Sequence, residues 1–343
     1  MSPADLEQAL AKFARVSLCQ LPSPLEEWKR LASKWTPGSA TRIFAKRDDV
    51  IGPAYGGNKS RQLEFLLGDA LAKGADLIIH GGAVQSNYCR QLSAAAARLG
   101  LDCHLVLSTA YDQPLDQGNH LLDHLFGATV LFVGCPLGAE HEQLKAELRD
   151  ALIEKGRRPY LITYPQSELL GCVGYLLGAL EITQQLESMG LAPPDRVVLP
   201  AVGASYAGLL FGLRLLGLRT PVTGFAPLNA EYDIERSIAQ AIATVAEKAG
   251  LRVPLGTIED IDIRFDCVGA GYARPSTDGL AALRDVARLE GVLLDPVYTS
   301  KAMAGLRSIA SPGQQVLFVH TGGSPAIFAY APEITKFLTM EGR

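Results

Sequence analysis

The stretch DLIIHGGAVQSNYCRQLSAAAARLG, residues 76–100, contains the pattern that decides the fold. It begins with an apolar run, 76–80, which fits a buried strand and ends at two glycines that allow the backbone to turn tightly. The apolar residues after the turn recur at the three- and four-residue spacing of a helix, which we predict over 86–99. A strand that leads through a glycine turn into a helix is the repeating unit of a parallel α/β sheet.

The same alternation of strand and helix recurs along the chain. We predict further strands at 42–49, 103–108, 129–134, 159–163, 196–202, 222–227 and 316–320. We predict further helices at 115–126, 138–155, 170–189, 205–217 and 232–250. Because these strands are too many for one sheet of ordinary size, we predict an α/β protein with two three-layer α/β/α domains and mainly parallel, twisted sheets. Ligands of such sheets bind beside the carboxyl ends of the strands.

Composition narrows the class of protein. The chain has 343 residues, of which 48% are hydrophobic, and a formal net charge of −4. This length suits two domains, and the negative charge argues against nucleic-acid and anionic-membrane partners. We find no apolar run that approaches the length of a membrane span, and the N-terminus lacks the apolar core of a secretory signal.

The cysteines and histidines indicate the compartment and bear on metal binding. The six cysteines are scattered and form no C-x-x-C pair, which predicts reduced thiols in a cytoplasmic protein. We find no ligand spacing of the six histidines to one another or to cysteine, so we predict no metal site.

Two cations stand at an unusual place in the stretch GPAYGGNKSRQLEFLLGDALAKG, residues 52–74. Two glycines and Asn58 precede Lys59, and the helical spacing of leucines begins just after, so Lys59 and Arg61 lie in the first turn of a helix. That end of a helix carries partial positive charge and favours anions. The two cations therefore call for an explanation other than helix stability.

Two strand ends lead into helix starts with small and polar residues. Ser86 and Asn87 follow the first of these strands, where they either cap the helix or, with free amide N–H groups, bind a carboxylate. Gly203, Ala204 and Ser205 follow another strand, where they form either a tight turn or a cradle for phosphate. The second segment is neither G-x-G-x-x-G nor a P-loop, so nucleotide binding is weakly supported.

Further hydroxyl groups follow the last strand and occupy two loops. Thr321 precedes two glycines and a helix start at Pro325, where its hydroxyl either bonds a ligand ring or caps the next helix. Tyr272 lies in a Gly/Pro-rich loop, and Tyr298 lies between Asp-Pro and a helix. Tyrosine in a loop is most often a packing residue with its hydroxyl in water, so each is only a candidate for catalysis.

Together these features suit pyridoxal phosphate. The cofactor needs a lysine for its aldehyde, a cradle for its phosphate, a neighbour for its ring nitrogen and a second anion site for the substrate carboxylate. The chain offers a lysine near a helix start, two anion-suited helix N-termini and hydroxyls at several strand ends.

The chain resembles the pyridoxal-phosphate enzymes of the tryptophan-synthase-β superfamily (fold type II), and within them the D-cysteine desulfhydrase and 1-aminocyclopropane-1-carboxylate deaminase family. The motifs that carry the resemblance are KRDD, GGNKSRQLEFL, GGAVQSNYCRQ, GYARP, LLDPVYTSKAMAGL and HTGGSPAIFAY. The resemblance implies pyridoxal phosphate as cofactor, a small amino acid as substrate and a homodimer. It also implies a larger cofactor-binding domain from 1–60 and 168–343 and a smaller domain from 61–167, with the active site in the cleft between them.

The resemblance assigns roles to residues. The catalytic residues are Lys59, which bonds the cofactor aldehyde and acts as base, Ser86, Tyr272 and Tyr298. The further cofactor contacts are Asn58, Asn87, Thr321 and Gly322, with a phosphate loop at Val202, Gly203, Ala204, Ser205 and Tyr206. The substrate contacts are Ser86, Asn87, Tyr88 and Tyr298. The cofactor's ring nitrogen would be bonded by Thr321 or Thr299.

The implied reaction is α,β-elimination on a small, D-configured amino acid, with D-cysteine giving pyruvate, ammonia and sulfide. Thr299 stands where the deaminases carry glutamate, which favours the desulfhydrases. The alternatives are 1-aminocyclopropane-1-carboxylate deaminase, cysteate sulfo-lyase and a β-replacement synthase. A non-catalytic binding protein on the same fold is the rival from another class, and the presence of Lys59 argues against it.

Three positions depart from the family pattern. Gln62 replaces a lysine that helps to hold the phosphate, so the phosphate must depend more on helix amides or on another cation. Tyr88 replaces a histidine or glutamine next to the substrate region, which puts the substrate in doubt. Tyr206 stands where the phosphate loop has a smaller or polar residue.

Overall fold

The strands form two separate sheets. The computed structural model describes residues 1–201, 203–229 and 233–341. The larger sheet has the strand order β1 (Leu25–Glu27), β2 (Arg42–Arg47), β10 (Gln315–His320), β7 (Arg196–Pro200), β8 (Val222–Phe225) and β9 (Asp262–Arg264). The smaller sheet has the order β5 (Thr129–Val133), β4 (Asp102–Ser108), β3 (Leu77–Ala83) and β6 (Pro159–Leu161). Every described strand pair is parallel except β1 with β2.

Helices connect and cover these strands. In the first half of the chain they are α1 (Pro3–Leu10), α2 (Lys29–Trp35), α3 (Asn58–Ala72), α4 (Asn87–Leu99), α5 (Gly118–Leu125), α6 (Ala139–Glu154) and α7 (Tyr164–Ser188). In the second half they are α8 (Ala204–Leu215), α9 (Ile234–Ala249), α10 (Thr277–Glu290), α11 (Thr299–Ile309), α12 (Ala326–Ala329) and α13 (Ala331–Glu341). The predicted α/β class with two mainly parallel sheets is confirmed.

The structure differs from the predicted elements at element ends, in two short strands and in the helices α1, α2, α10 and α13, which were not predicted. The helix predicted from residue 170 begins at Tyr164, so α7 is longer at its N-terminus than predicted by about 1.7 turns. The three-residue strands β1 and β9 were not predicted, because such segments are too short to display an alternating pattern.

Helix α7 corrects one expectation. Its segment Gln166–Ser188 is long and apolar enough to match a membrane span by length and composition. In the most apolar window 67% of the segment is buried within the fold, and α7 packs on α3 and α8. The apolar surface of α7 is accounted for by this packing, as expected of a core helix.

Candidate active site

A cavity of about 600 Å³ lies where the chain leaves strands β3, β7 and β10 at their carboxyl ends. This is the position at which parallel α/β sheets bind ligands. Eleven of the predicted site residues line the cavity: Asn58, Lys59, Ser86, Asn87, Tyr88, Gly203, Ser205, Tyr272, Tyr298, Thr321 and Gly322. Ala204 and Tyr206 are not among the lining residues, and Val202 lies outside the described residues.

The start of α3 is held against the loop that follows β10. The N–H of Asn58 donates to the carbonyl oxygen of Thr321 at 2.9 Å. A Cβ atom on Gly322, whose φ is +90°, would stand 2.7 Å from the Cα of Gly57, so the two segments can touch only through glycine. This contact fixes the position of Lys59, whose side chain lines the cavity.

The Lys59 amine is suited to act as a base. Desolvation lowers its pKa from the ordinary 10.5 to about 8, against the opposing charge of Glu168. Its Nζ stands 5.5 Å from the centroid of the Tyr88 ring. Because a nucleophilic or basic lysine must be unprotonated, a lowered pKa increases the reactive fraction near neutral pH.

The start of α4 supplies donors to the cavity. Ser86 is the N-cap: its Oγ accepts from the N–H of Cys89 at 3.2 Å, which leaves its own O–H able to donate. The Oδ1 of Asn87 accepts from the side chain of Asn119 at 2.8 Å, and Asn119 also donates to the carbonyl of Gln85. Asn87 is thereby oriented with its amide nitrogen available as a donor. Capping and ligand binding, the two alternatives for Ser86, are compatible.

A residue of α7 that was not predicted for the site lies against the start of α8. Glu168, on α7, accepts from the backbone N–H of Ala204, while its Oε2 is buried and has no hydrogen-bond partner. Burial raises the pKa of this carboxyl from 4.5 to about 7, against the opposing charge of Lys59. The available signal was an acid at the edge of the long uncharged run 169–180.

Neutral side chains of α3 contact Ser205 at the start of α8. Ser205 Oγ accepts from Asn58 Nδ2 at 2.8 Å and from Gln62 Nε2 at 2.9 Å. Gln62 therefore contributes an amide at the place where the family resemblance led us to expect an ammonium group. Of the two cations in the first turn of α3, only Lys59 lines the cavity.

Two hydroxyls expected at the site lie elsewhere. The Tyr206 side chain is fully buried; its O–H donates to the carbonyl of Val222 at 2.8 Å and accepts from the N–H of Asp262 at 2.9 Å. Thr299 is also fully buried, and its O–H donates to Asp295 at 2.7 Å. Tyr206 thus belongs to the core and Thr299 to the buried start of α11, whereas Thr321 lines the cavity.

Two tyrosines form a hydroxyl pair at the cavity. The Oη atoms of Tyr272 and Tyr298 are 2.9 Å apart, so one hydroxyl hydrogen lies between them and the other remains for a ligand. Asp295 holds the turn before α11 by accepting from the N–H groups of Val297 and Tyr298. Burial raises the pKa of both tyrosines, so both are neutral donors at physiological pH.

Arg61 is explained by a separate cluster. It is only 2% exposed and donates to Asp48 and to Glu181, and Lys46 also donates to Glu181. Tyr175 donates to Asp48 at 2.8 Å. We call these five residues the Arg61 cluster; its acids and bases neutralise one another away from the cavity lining.

A histidine pair corrects a second expectation. His120 and His124 are four residues apart on α5, a spacing that the sequence analysis overlooked, and their ligand atoms lie with that of Asp116 within 4.8 Å. The N–H of Asp116 donates to His120 Nδ1 at 3.0 Å, and the two Nε2 atoms are 3.0 Å apart. These two hydrogen bonds therefore satisfy both ring nitrogens of His120 without an ion.

The cavity residues fit pyridoxal phosphate at its reactive end. Lys59 can hold the aldehyde, Asn87 can donate to the phenolic oxygen, and Thr321 offers a hydroxyl for the ring nitrogen. At the phosphate end, the amides of α8 and the hydroxyl of Ser205 form a cradle, although Glu168 adds a carboxylate there.

Comparison with known proteins identifies the family. Residues 16–322 match the family described as pyridoxal-phosphate dependent enzyme. The chain is 38% identical to the D-cysteine desulfhydrase of Serratia proteamaculans (strain 568) over 341 residues, which cover 96% of this chain and all of that protein. It is 40% identical to the D-cysteine desulfhydrase of Klebsiella pneumoniae (strain 342), with 95% and 99% coverage.

Solved structures show the same relationship. The crystal structure of an ACC deaminase homologue matches with a TM-score of 0.87 and 33% identity, covering 98% of this chain and 100% of that one. A fungal L-serine ammonia-lyase from Rhizomucor miehei, 17% identical, shares the fold with a TM-score of 0.65 and covers 94% of this chain and 99% of its own. The chain therefore belongs to the pyridoxal-phosphate-dependent enzymes of fold type II and uses pyridoxal phosphate as its cofactor.

Proposed function

We propose that the enzyme catalyses α,β-elimination on a small D-amino acid, with D-cysteine as substrate. D-Cysteine and water would give pyruvate, ammonia and hydrogen sulfide. The observation that carries the proposal is that one cavity is lined by the Lys59 amine and by the Tyr272–Tyr298 hydroxyl pair. The proposal is supported by relatives 38–40% identical over nearly the whole chain that are D-cysteine desulfhydrases.

The residues divide the work between binding and proton transfer. When bound, pyridoxal phosphate withdraws electrons from the substrate α-carbon and so makes the α-proton removable. The unprotonated Lys59 amine takes that proton. The Ser86 hydroxyl and the free N–H groups at the start of α4 bind the substrate carboxylate, which places the α-carbon on the Lys59 side of the cavity.

The tyrosine pair serves the leaving group. A thiolate is a moderately stable leaving group, because the pKa of a thiol is about 8.5. One hydrogen lies between Tyr272 and Tyr298, so one of the two hydroxyls keeps a free hydrogen. This hydroxyl donates a hydrogen bond to the departing sulfur. The sulfur leaves as a thiolate, and the neighbouring hydroxyl strengthens this hydrogen bond by donating to the tyrosine that contacts the sulfur.

A substrate panel tests the proposal. Keto acid, ammonia and sulfide would be measured with D-cysteine, L-cysteine, cysteate, β-chloro-D-alanine, D-serine and 1-aminocyclopropane-1-carboxylate. We expect pyruvate from D-cysteine and from β-chloro-D-alanine. New amino acids formed when thiols are added would instead reveal a β-replacement synthase.

A second candidate is 1-aminocyclopropane-1-carboxylate deaminase. It is supported by the structural likeness to an ACC deaminase homologue at 33% identity. Against it, Thr299 occupies the position next to Tyr298 and directs its hydroxyl to Asp295. 2-Oxobutyrate from the cyclopropane compound, without turnover of D-cysteine, would establish this candidate and reject the first.

We also propose that the enzyme is a cytoplasmic homodimer without nucleic-acid or membrane partners. Support for the dimer comes from apolar side chains exposed on α5 and on the edge strand β5: Leu121, Leu125, Leu131 and Phe132. Sedimentation equilibrium should give the mass of two chains, and Leu125→Asp should lower it to one; a wild-type mass of one chain contradicts the proposal.

The domain division is likewise proposed, with segments 1–60 and 168–343 in one domain and 61–167 in the other. It is supported by the smaller sheet, whose strands all lie between Leu77 and Leu161, and by a cavity lined from both segments. Limited proteolysis that releases a fragment ending far from these boundaries would contradict it.

A further inference from the structure

The carboxylate of Glu168 lies at the N-terminus of α8. The N–H of Ala204 donates to it, while Oε2 is buried without a hydrogen-bond partner. A Cβ atom on Gly203 would collide with both carboxylate oxygens, so the turn before α8 accommodates this carboxylate only because residue 203 is glycine. The φ of +79° at Gly203 also favours glycine.

The surroundings of Glu168 hold little compensating charge. Among the described residues, the titratable groups that interact with it are Lys59 on α3, Tyr88 on α4, and Tyr164 and Cys172 on α7 itself. Only Lys59 is a cation. The side chain of Ser205 at the start of α8 and its two donors on α3, Asn58 and Gln62, are uncharged.

We propose that Glu168 occupies the cradle of the cofactor phosphate in the free protein, and that phosphate binding requires its carboxylate to take up a proton. A helix N-terminus stabilises one anion through its free N–H groups, and a second anion beside it in a buried site is repelled. Glu168 thus sets how tightly the enzyme holds its cofactor. This role is independent of the choice of D-cysteine as substrate.

The sign of the pH dependence follows from the carboxyl group. Below its pKa of about 7, Glu168 is neutral and does not repel phosphate. Above it, the ionised carboxylate competes for the Ala204 N–H, so the affinity for pyridoxal phosphate falls as the pH rises.

The test measures binding to the apoenzyme. Pyridoxal phosphate, pyridoxal and inorganic phosphate would be titrated by calorimetry at about pH 6 and about pH 8.5, on either side of the Glu168 pKa. Glu168→Gln removes the charge but keeps an acceptor, whereas Glu168→Ala empties the cradle. Glu187→Gln, an exposed residue on the same helix, is the matched control.

At about pH 8.5 both Glu168 variants should bind pyridoxal phosphate and inorganic phosphate about tenfold more tightly than the wild type, with the difference vanishing near pH 6. Pyridoxal, which lacks the phosphate, should bind all proteins alike. Equal affinities of variants and wild type for phosphate at about pH 8.5 would overturn the proposal. An equal gain for pyridoxal would overturn it too, because Glu168 would then act through Lys59.

The wild type alone offers a second measurement if the variants do not fold. Calorimetry in buffers of different ionisation enthalpy counts the protons taken up on binding. At about pH 8, pyridoxal phosphate should take up close to one more proton than pyridoxal, since Glu168 is ionised before binding. An equal proton count for the two ligands would overturn the proposal.

Discussion

Two glutamates on helix α7 have opposite surroundings. Glu181 accepts hydrogen bonds from Arg61, Lys46 and the N–H of Ser23, and these contacts lower its pKa. Glu168 lines the cavity with one oxygen unpaired, and burial raises its pKa. One helix therefore carries an acid whose charge is neutralised and an acid whose charge is not. Ionisable groups with a perturbed pKa and an uncompensated charge, such as Glu168, cluster at functional sites.

The largest effect is expected from removing the reactive group of the cavity. Lys59→Ala should reduce pyruvate formation from D-cysteine by about 10⁴-fold, because the base and the group that holds the aldehyde are lost together. Lys73→Ala, an exposed lysine just after the same helix, is the control and should keep wild-type activity. Retention of full activity by Lys59→Ala would contradict the assignment of the cavity.

The next largest effect is expected in the Arg61 cluster. Arg61→Met removes a buried cation from Asp48 and Glu181 and should lower the free energy of unfolding by about 3–5 kcal/mol, since it leaves carboxylates uncompensated. Urea unfolding measures this change. Arg149→Met, at an exposed pair with Asp150, should change it by less than about 1 kcal/mol. Equal effects of the two substitutions would show that the cluster does not stabilise the fold.

The two glutamates should respond in opposite directions to the same substitution. The raised pKa of Glu168 means that the folded apoenzyme loses stability as the pH rises from about 4.5 to about 7, so Glu168→Gln should stabilise it by about 1–3 kcal/mol near pH 8 and have little effect near pH 5. The lowered pKa of Glu181 means that its contribution is present above the unfolded pKa and is lost in acid. Glu181→Gln should therefore destabilise the protein near pH 8. Urea unfolding at both pH values measures these changes. A change of the same sign in the free energy of unfolding of both variants near pH 8 would contradict the difference between the two glutamates.

The smallest effect is expected from restoring a charge beside the cradle. Gln62→Lys places a cation next to Ser205 and should tighten the binding of pyridoxal phosphate by about three- to tenfold, because a charge-assisted hydrogen bond is worth more than a neutral one. Fluorescence titration of the apoenzyme measures the affinity. The gain should be smaller in the presence of Glu168→Gln, which already removes the opposing charge. Weaker binding by Gln62→Lys would show that the phosphate does not lie at this place.

Local patterns were sufficient to predict much of the architecture. Glycine turns between apolar strands and amphipathic helices predicted the parallel sheets, because those features depend on neighbours in the chain. The same turns led to Lys59, Ser86 and Thr321, since strand ends meet at one edge of a sheet. The short strand β9 was missed because its pairing with β8 depends on a segment far away in the sequence.

The roles of buried polar residues required the folded chain. The partners of Arg61 lie 13 and 120 residues away. No local pattern distinguishes Glu181, which Arg61 and Lys46 neutralise, from Glu168, to which neither of them donates. Tyr206 and Thr299 stand beside predicted site loops, yet their hydroxyls turn to Val222 and Asp295. Side-chain direction at a helix start is set by packing against other elements, which residue spacing alone does not determine.

The most direct test of the central claim, that Lys59 is the residue to which the cofactor is bonded, is reduction of the holoenzyme with borohydride followed by peptide mass mapping. Reduction makes the link between the cofactor and its lysine permanent. We predict the added mass of the cofactor on the peptide that contains Lys59. Its appearance on Lys145, the other lysine that lines the cavity, or on no peptide at all, would contradict the account.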